Sequence, residues 1–396
     1  MIKKKRRLSR RDFLRASAMT AVGVLAASCA QPTPAVIEKE VPVEKVVKET
    51  VVVEKEVAIE KVVTATPVPS KYQEAPMLAE MVKAGKLPPV DERLPEEPLV
   101  VEPIEKIGKY GGDMRLGTLG PSDGAIFTRF TEYENLVRWD IPWTGVIPGV
   151  AKSWEVQDDG KTFIFNLRKG MKWSDGEPFT ADDFLWWYEE QTNKELNPSF
   201  QARWKAGGEP VVVTKVDDYR VKYSYTVPYG VFLMQLATPA GTTYTPKHFR
   251  KQFFPGYADD AFLKKKMDAD GVENWFEGYN SWVDPRMNPD APVVFAWKYT
   301  STLGDSPQFT AVRNPYYWKV DPEGQQLPYL DRQIYTVAGD RETIVMMAVA
   351  GEISFQDRHI NALSNKPLYM ENMAVSYTHL RAHETSLHLV CRLLLE

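Results

Sequence analysis

A chain of 396 residues with 43% hydrophobic and 12% aromatic content can bury a sizeable core, and its length points to two domains or three. A formal charge of −4, with no basic stripe interleaved with aromatics beyond the N-terminus, argues against nucleic acid as a partner. The two cysteines, Cys29 and Cys391, lie in the least globular parts of the chain, so no disulfide framework is available.

The first residues read as an address. Lys3-Lys4-Lys5-Arg6-Arg7 precedes Ser9-Arg10-Arg11-Asp12-Phe13-Leu14, and an apolar stretch over residues 16–27 ends at Ser28-Cys29. As a helix that stretch would span about 18 Å, short of the roughly 30 Å of a bilayer core, so it is a signal peptide rather than a membrane span. The string holding Arg10, Arg11, Phe13 and Leu14 resembles the twin-arginine export motif, with Arg15 where lysine is commoner. Cys29 behind Leu25-Ala26-Ala27-Ser28 resembles a lipoprotein processing site, with leucine one position further from the cysteine than the usual pattern. These resemblances imply a signal over residues 1–29 and a lipid on Cys29 that holds the mature chain at a membrane face; two acyl chains suffice for stable anchoring.

Residues 30–70 are rich in Pro, Val, Glu and Lys, with a recurring unit such as Val43-Glu44-Lys45-Val46-Val47, and contain no aromatic residue. Proline and charge leave little to build a core, so the segment is a tether or a low-complexity coiled stretch. Folded sequence begins near residue 71. Met77 to Val82 has a short helical pattern, and the prolines around Leu87-Pro88-Pro89 and Leu94-Pro95 predict an extended strap. Gly111-Gly112 gives a sharp entry to a strand through Leu116, followed by a loop over residues 118–124 and a helix containing Tyr133, Leu136 and Val137.

The next stretch is the most informative. Asp158-Asp159-Gly160 and Arg168-Lys169-Gly170 bracket an alternating run in which Phe163, Phe165 and Leu167 share one face, which predicts a half-buried strand. Ser174-Asp175-Gly176 turns the chain toward Thr180, which can cap a helix that Asp183 answers from its third position. Phe184, Trp187 and Tyr188 then fall on the helical face that packs on the strands. Val211 to Val227 predicts a second hairpin with Val221, Tyr223 and Tyr225 on one face, and Phe232, Leu233, Leu236 and Ala237 mark a helix. Residues 257–292 read as a looser segment whose Lys264-Lys265-Lys266 is a solvated face.

The succession Pro148, Gly149, Ala151, Ser153-Trp154, Asp159-Gly160, Phe165-Asn166-Leu167-Arg168, Gly170, Trp173, Asp175-Gly176, Pro178, Ala181-Asp182-Asp183 resembles the signature of the dipeptide, oligopeptide and nickel group of extracytoplasmic solute-binding proteins that serve ABC importers. The strap before residue 103 and the string Asn314-Pro315-Tyr316-Tyr317-Trp318 resemble further elements of that family. The resemblance implies an α/β, periplasmic-binding-protein-like two-lobe fold of type II, from the large cluster with an extra subdomain. It also places the loop over residues 118–124 at the rim of the ligand cleft, where Gly120, Ser122, Asp123 and Gly124 are the candidate ligand-binding residues; the same loop also reads as a plain strand-to-helix turn.

After Met373 the resemblance fails. Residues 374–396 hold three of the five histidines, with His379 and His383 four apart beside Glu384 like a metal pair, but the string resembles a translated sequencing-library adapter. The expected organisation is therefore a signal over 1–29, a tether over 30–70, the N-terminal part of the large lobe with its added subdomain over 71–373, and a non-native tail. On this expectation the chain stops before the second lobe, and the missing return strands leave sheet edges exposed.

The functional expectation is an extracytoplasmic, membrane-anchored monomer that captures a small molecule, a peptide or an oligosaccharide and passes it to an ABC permease complex. It needs no cofactor, no metal and no catalysis. The alternative is a secreted or surface-anchored hydrolase, which would want a nucleophile beside a base or a carboxylate pair, and no such motif stands out. A structural envelope lipoprotein would explain the tether but not the dense match from Gly145 onward.

Overall fold

A computed structural model of the chain describes residues 70–372. Cys29, Arg10, Arg11, Phe13 and Leu14, the tether and the tail from 373 lie outside the described residues, as do His379 and His383.

Two four-stranded sheets form the frame. In the first, Ala151–Gln157, Thr162–Leu167, Arg220–Ser224 and Val212–Asp217 lie side by side and antiparallel. The alternation of the central strand does what its sequence predicts: Phe163, Phe165 and Leu167 are buried together with Val221 and Tyr223 of the neighbouring strand. Phe232, in the short helix Phe232–Leu236, sits among the rings of Phe163, Phe165, Tyr223 and Tyr225 at centroid distances of 4.7 to 6.3 Å. Such edge-on and tilted contacts suit the ring quadrupoles.

The helix Ala181–Thr192 begins at the predicted cap, with Thr180 accepting from the Asp182 N–H and the Asp183 carboxylate accepting from the Thr180 N–H at 2.9 Å. It is buried on two sides rather than one. Phe184 and Trp187 join the core of the first sheet, whereas Trp186 turns into a second aromatic cluster with Phe254, Trp275 and Tyr279. That cluster is built by two helices, Asp260–Asp270 and Trp275–Val283, where the sequence predicts a loose segment. Their ends are chemically well defined: Asp259 accepts from the Phe262 N–H, Gly271 adopts the left-handed conformation behind the first helix, and Asn274 and Glu277 form a capping box for the second. The lysine triplet does lie on an outer face, with Lys264 and Lys266 paired to Asp268 and Asp270 one turn on.

The second sheet runs Trp297–Tyr299, Gln308–Arg313, Arg332–Val337, Asp113–Thr118, the first two pairings antiparallel and the last parallel. The strand Asp113–Thr118 leads into the helix Gly124–Phe130, which ends three residues before Tyr133. The helical face is Ile126, Phe127 and Phe130; Leu136 is in the following turn, and Val137 opens the strand Val137–Trp139, paired with Val146–Pro148. The helix predicted through Tyr133 and Val137 is thus displaced toward the N-terminus. The free edge of Asp113–Thr118 is not left open either. Ser354 exchanges hydrogen bonds with the Arg115 backbone at 2.7 and 2.9 Å, and the Gln356 side-chain amide meets both the N–H and the C=O of Gly117, at 2.9 and 3.1 Å.

The N-terminal strap binds to the centre of the chain. Leu99–Val100 pairs in parallel with Lys319–Val320, and Gln73 bridges to Gln325. Within the strap the run after Pro89 makes a single helical turn, Val90–Arg93, where an extended chain is predicted. That turn delivers Arg93 into a fully buried position against Glu74, the Pro88 and Pro315 carbonyls and Gln326. Among the described residues no helix is long and apolar enough to cross a membrane.

Candidate functional site

The parallel pair of strands fixes where a ligand can sit. Along Asp113–Thr118 side chains alternate between faces, so Met114 and Leu116 pack with Phe127, Phe309 and Tyr335, while Gly117 faces the other way. There, a Cβ on Gly117 would come within 3.0 Å of Ile344, in the helix Arg341–Val349 that follows the parallel partner strand. The two strands therefore send their helices to opposite faces. In an open α/β sheet, the loops at the carboxyl ends of such a pair diverge and leave a crevice, the usual place for a ligand.

The structure has a cavity at this end of the sheet, of about 640 Å³ and lined by Arg129, Arg341, Glu342, Asp357, Arg358 and His359 among others. Each wall comes from a different element. Arg129 projects from the helix Gly124–Phe130, Arg341, Glu342, Val345 and Met346 come from the helix Arg341–Val349, and the rest belong to residues 357–368, which follow the edge-closing segment. Asp340 caps the second helix by accepting from the Thr343 N–H.

The loop over residues 118–124 stands behind this wall. Gly120 is buried at φ +92°, a conformation that favours glycine, and its carbonyl accepts from the Asp123 N–H at 2.9 Å. Ser122 is exposed. Gly124 faces the Arg286 guanidinium, 3.2 Å from where a Cβ would stand. Asp123 is turned inward: its Oδ1 accepts from Arg358 Nε at 2.7 Å, and its Oδ2 accepts from His359 Nε2 at 2.7 Å and from the Leu119 N–H at 3.2 Å. Burial alone would raise its pKa, but hydrogen bonds from His359, Leu119 and Arg358 outweigh it and hold the carboxyl below its ordinary value. Asp123 is thus the post to which the cavity wall is tied, and among the four loop candidates it is the one that connects to the cavity, through Arg358 and His359.

Asp357 has the opposite character. Its side chain is 5% exposed, its nearest cation is Arg129 at 3.7 Å, and its Oδ1 is buried with no hydrogen-bond partner among the described residues. Burial pushes its pKa up, against the opposing pull of Arg129, Arg358 and His359. The run Gln356-Asp357-Arg358-His359 carries the cavity, and the sequence reading passed over it. Its signal was a dense polar run directly after the apolar Phe355, but which groups converge there depends on the sheet. Among the described residues, no group of three or more His, Cys, Asp or Glu side chains is placed to hold a metal ion.

A polar crevice at the carboxyl ends of a parallel strand pair is where open α/β sheets usually hold a ligand. Residues 145–380 match the family of bacterial extracellular solute-binding proteins, family 5 Middle, and the chain belongs to that family. The match ends at 380, beyond the boundary at 373 that the sequence reading drew. A periplasmic alpha-galactoside-binding protein of Rhizobium meliloti (strain 1021) is 30% identical over 310 residues, covering 72% of this chain and 42% of that protein. Among solved structures, an oligopeptide-binding protein OppA is similar with a TM-score of 0.72 at 40% identity, over 77% of this chain and 48% of that one. The periplasmic binding protein MelB of Agrobacterium fabrum C58, in complex with stachyose, is similar with a TM-score of 0.63 at 32% identity, over 78% and 46%. The chain therefore spans less than half the length of these relatives. Each is a binding protein, and the hydrolase reading finds no support in them.

Proposed function

We propose that this chain belongs to a lipid-anchored, extracytoplasmic receptor that captures an oligosaccharide or a peptide in the crevice at the carboxyl ends of Asp113–Thr118 and Arg332–Val337 and delivers it to an ABC permease. The observation that carries this reading is the polar cavity of about 640 Å³ at that crevice, a volume within the range of small-molecule sites, in a chain of the solute-binding family. An alpha-galactoside-binding relative and a stachyose-bound structure favour an oligosaccharide, while the name of the oligopeptide-binding structure keeps a peptide in play. From the loop, Asp123 acts on the crevice through Arg358 and His359, and exposed Ser122 is the one remaining candidate to offer a hydroxyl at its rim, while Gly120 and Gly124 shape the turn. The receptor works as a monomer.

Titrating the protein's tryptophan fluorescence with a panel of oligosaccharides and peptides, beside an assay for their hydrolysis, tests the reading. Saturable change without turnover is expected, and turnover of any of them would overturn it. Anchoring is tested by Cys29→Ala, which should move the mature protein from membranes to the soluble fraction. Arg10→Lys with Arg11→Lys should block export, and continued export would point to the general secretory route.

A further inference from the structure

The hairpin formed by Val137–Trp139 and Val146–Pro148 ends in a tip that neither sheet's core absorbs. Ile141, Pro142 and Trp143 are exposed in succession, Ile141 by 52% and Trp143 by 44%. Trp143 has φ +60°, in the left-handed region, which a bulky side chain adopts only where its surroundings hold it there. Two sets of contacts do so. Its ring stacks on Trp139 at a centroid distance of 5.2 Å and an interplanar angle of 12°, and Trp139 in turn packs against the core of the first sheet. Beneath the tip, the Asp140 carbonyl accepts from the Trp143 N–H at 3.1 Å, and its carboxylate accepts from the Thr144 N–H and hydroxyl at 2.7 and 2.6 Å. The Asp140 N–H donates to the Gly145 carbonyl at 3.0 Å, and Pro142 has no N–H to satisfy. An indole is thus fixed outward on a tip whose N–H groups at 140, 143 and 144 are bonded from within.

We propose that this tip rests in the interfacial layer of a lipid membrane, with Trp143 and Ile141 entering it; this relies on the lipid-anchor reading above. The length of chain ahead of the folded body brings the surface within reach. Residues 30–69 separate Cys29 from Ser70, and forty residues span at most about 140 Å, so an anchored chain stays in the neighbourhood of the bilayer. A contact too weak to recruit a free protein suffices for one already held there. The chemistry of the tip matches that layer. Indole rings collect at the boundary between lipid and water, and N–H groups bonded internally enter it without leaving donors bare. Other occupants fit less well. A sugar stacked on Trp143 wants polar groups converging around the ring, and those at hand, Asp140 and Thr144, are bonded to each other. A second copy of the chain, resting on two or three exposed side chains, would bury far less than the ~1,200 Å² at which stable interfaces begin.

The test uses the full chain, purified with its lipid and reconstituted into vesicles of phosphatidylethanolamine and phosphatidylglycerol brominated close to the headgroup, which quench only the indoles that reach them. Wild-type emission should be quenched. Trp143→Gly, which suits the positive φ, should abolish the quenching, and Ile141→Ser, which leaves the ring stack in place, should lower the inserted-to-free ratio about tenfold. If Trp143→Gly fails to fold, Ile141→Ser decides by itself. Vesicle-bound protein quenched no more than the Trp143→Gly variant, or as strongly after Ile141→Ser as before it, would overturn the tip assignment and leave the anchor standing. Protein that does not associate with the vesicles at all would overturn the anchor reading and the proposal with it. A dimer in sedimentation velocity, or an emission response to stachyose, that Trp143→Gly removes would give the tip to another occupant and overturn the proposal alone.

Discussion

At the scale of single residues, two buried aspartates show how the partner's chemistry decides a carboxyl's charge. Asp123 is held by Arg358 and His359, whose donors are charged or can become so, and its pKa is lowered despite burial. Asp183 is held by the neutral N–H groups of Thr180, Lys247 and the Trp173 indole, and burial wins, pushing it up to about 6. The two make opposite contributions to stability. For Asp123 the native state prefers the ionised form, so its contribution is present above the ordinary value of 3.8 and is lost as pH falls through the depressed native value. For Asp183 the native state prefers the proton, so its contribution is present below 3.8 and is lost as pH rises through about 6. Urea melts should therefore show Asp123→Asn costing more near pH 7 than near pH 3. Asp183→Asn, which cannot ionise, should gain on the wild type between about pH 4 and pH 7 by something on the order of 3 kcal/mol. Parallel pH profiles for the two variants would contradict both assignments. Asp123 was legible as a loop residue, but its role was not, because Arg358 and His359 are more than 230 positions away in sequence.

At the scale of elements, legibility followed local chemistry. The Thr180 and Asp183 cap, the alternation at Phe163, Phe165 and Leu167, and the hairpin with Val221 and Tyr223 could be read because each signal lies within one turn or one strand. The helices Asp260–Asp270 and Trp275–Val283 carried equally local signals, the Asp259 cap and Gly271 around the first and the buried stripe Trp275, Tyr279 and Trp282 at helical spacing in the second, and reading the segment as loose passed over both. The second helix also depends on Gly278, where a Cβ would stand 2.2 Å from Trp282 Cζ2. The indole lies directly over that position and donates from Nε1 to Asp270. Gly278→Ala should therefore displace Trp282 and open the cluster, at a cost of about 1–3 kcal/mol typical of overpacking, even though alanine is the better helix former. A red-shifted tryptophan emission with a lower urea midpoint would confirm it, and unchanged emission would show that the indole has another place to go. Gly117 is the corresponding position at the candidate site. Gly117→Val would press on Ile344 and Ile353, push the helix Arg341–Val349 outward, and should weaken solute binding at the crevice as well as stability.

At the scale of the whole molecule, the family and the α/β class were legible because the matched segment keeps its residue types at fixed spacing. The crevice was not, since it is assembled from residue 129, residues 341–346 and residues 357–368, which converge only once the sheet has formed. The strap is the clearest case of such long-range assembly. It was read as an extended passage, yet its single helical turn places a fully buried guanidinium where residues 74, 88, 315 and 326 meet. Arg93 thereby ties the strap to the segment between the strands Gln308–Arg313 and Arg332–Val337, and the parallel pairing of Leu99–Val100 continues the attachment. A planar fork of donors reaches four acceptors in different directions, which a lysine ammonium on a longer, narrower stem cannot reproduce. Arg93→Ala would leave the Glu74 carboxylate, the Gln326 amide oxygen and the Pro88 carbonyl without this donor, while the Pro315 carbonyl would keep only the Gln326 amide N–H. Breaking a buried pair in this way costs about 3–5 kcal/mol, a large fraction of the stability of an ordinary domain. Arg93→Lys should recover only part of that loss, because it restores the charge but not the fork. Urea melts of the three proteins followed by far-UV circular dichroism decide the matter: the expected order of midpoints is wild type, then Arg93→Lys, then Arg93→Ala. An Arg93→Ala protein as stable as the wild type would mean that the strap lies on the molecule without holding it together.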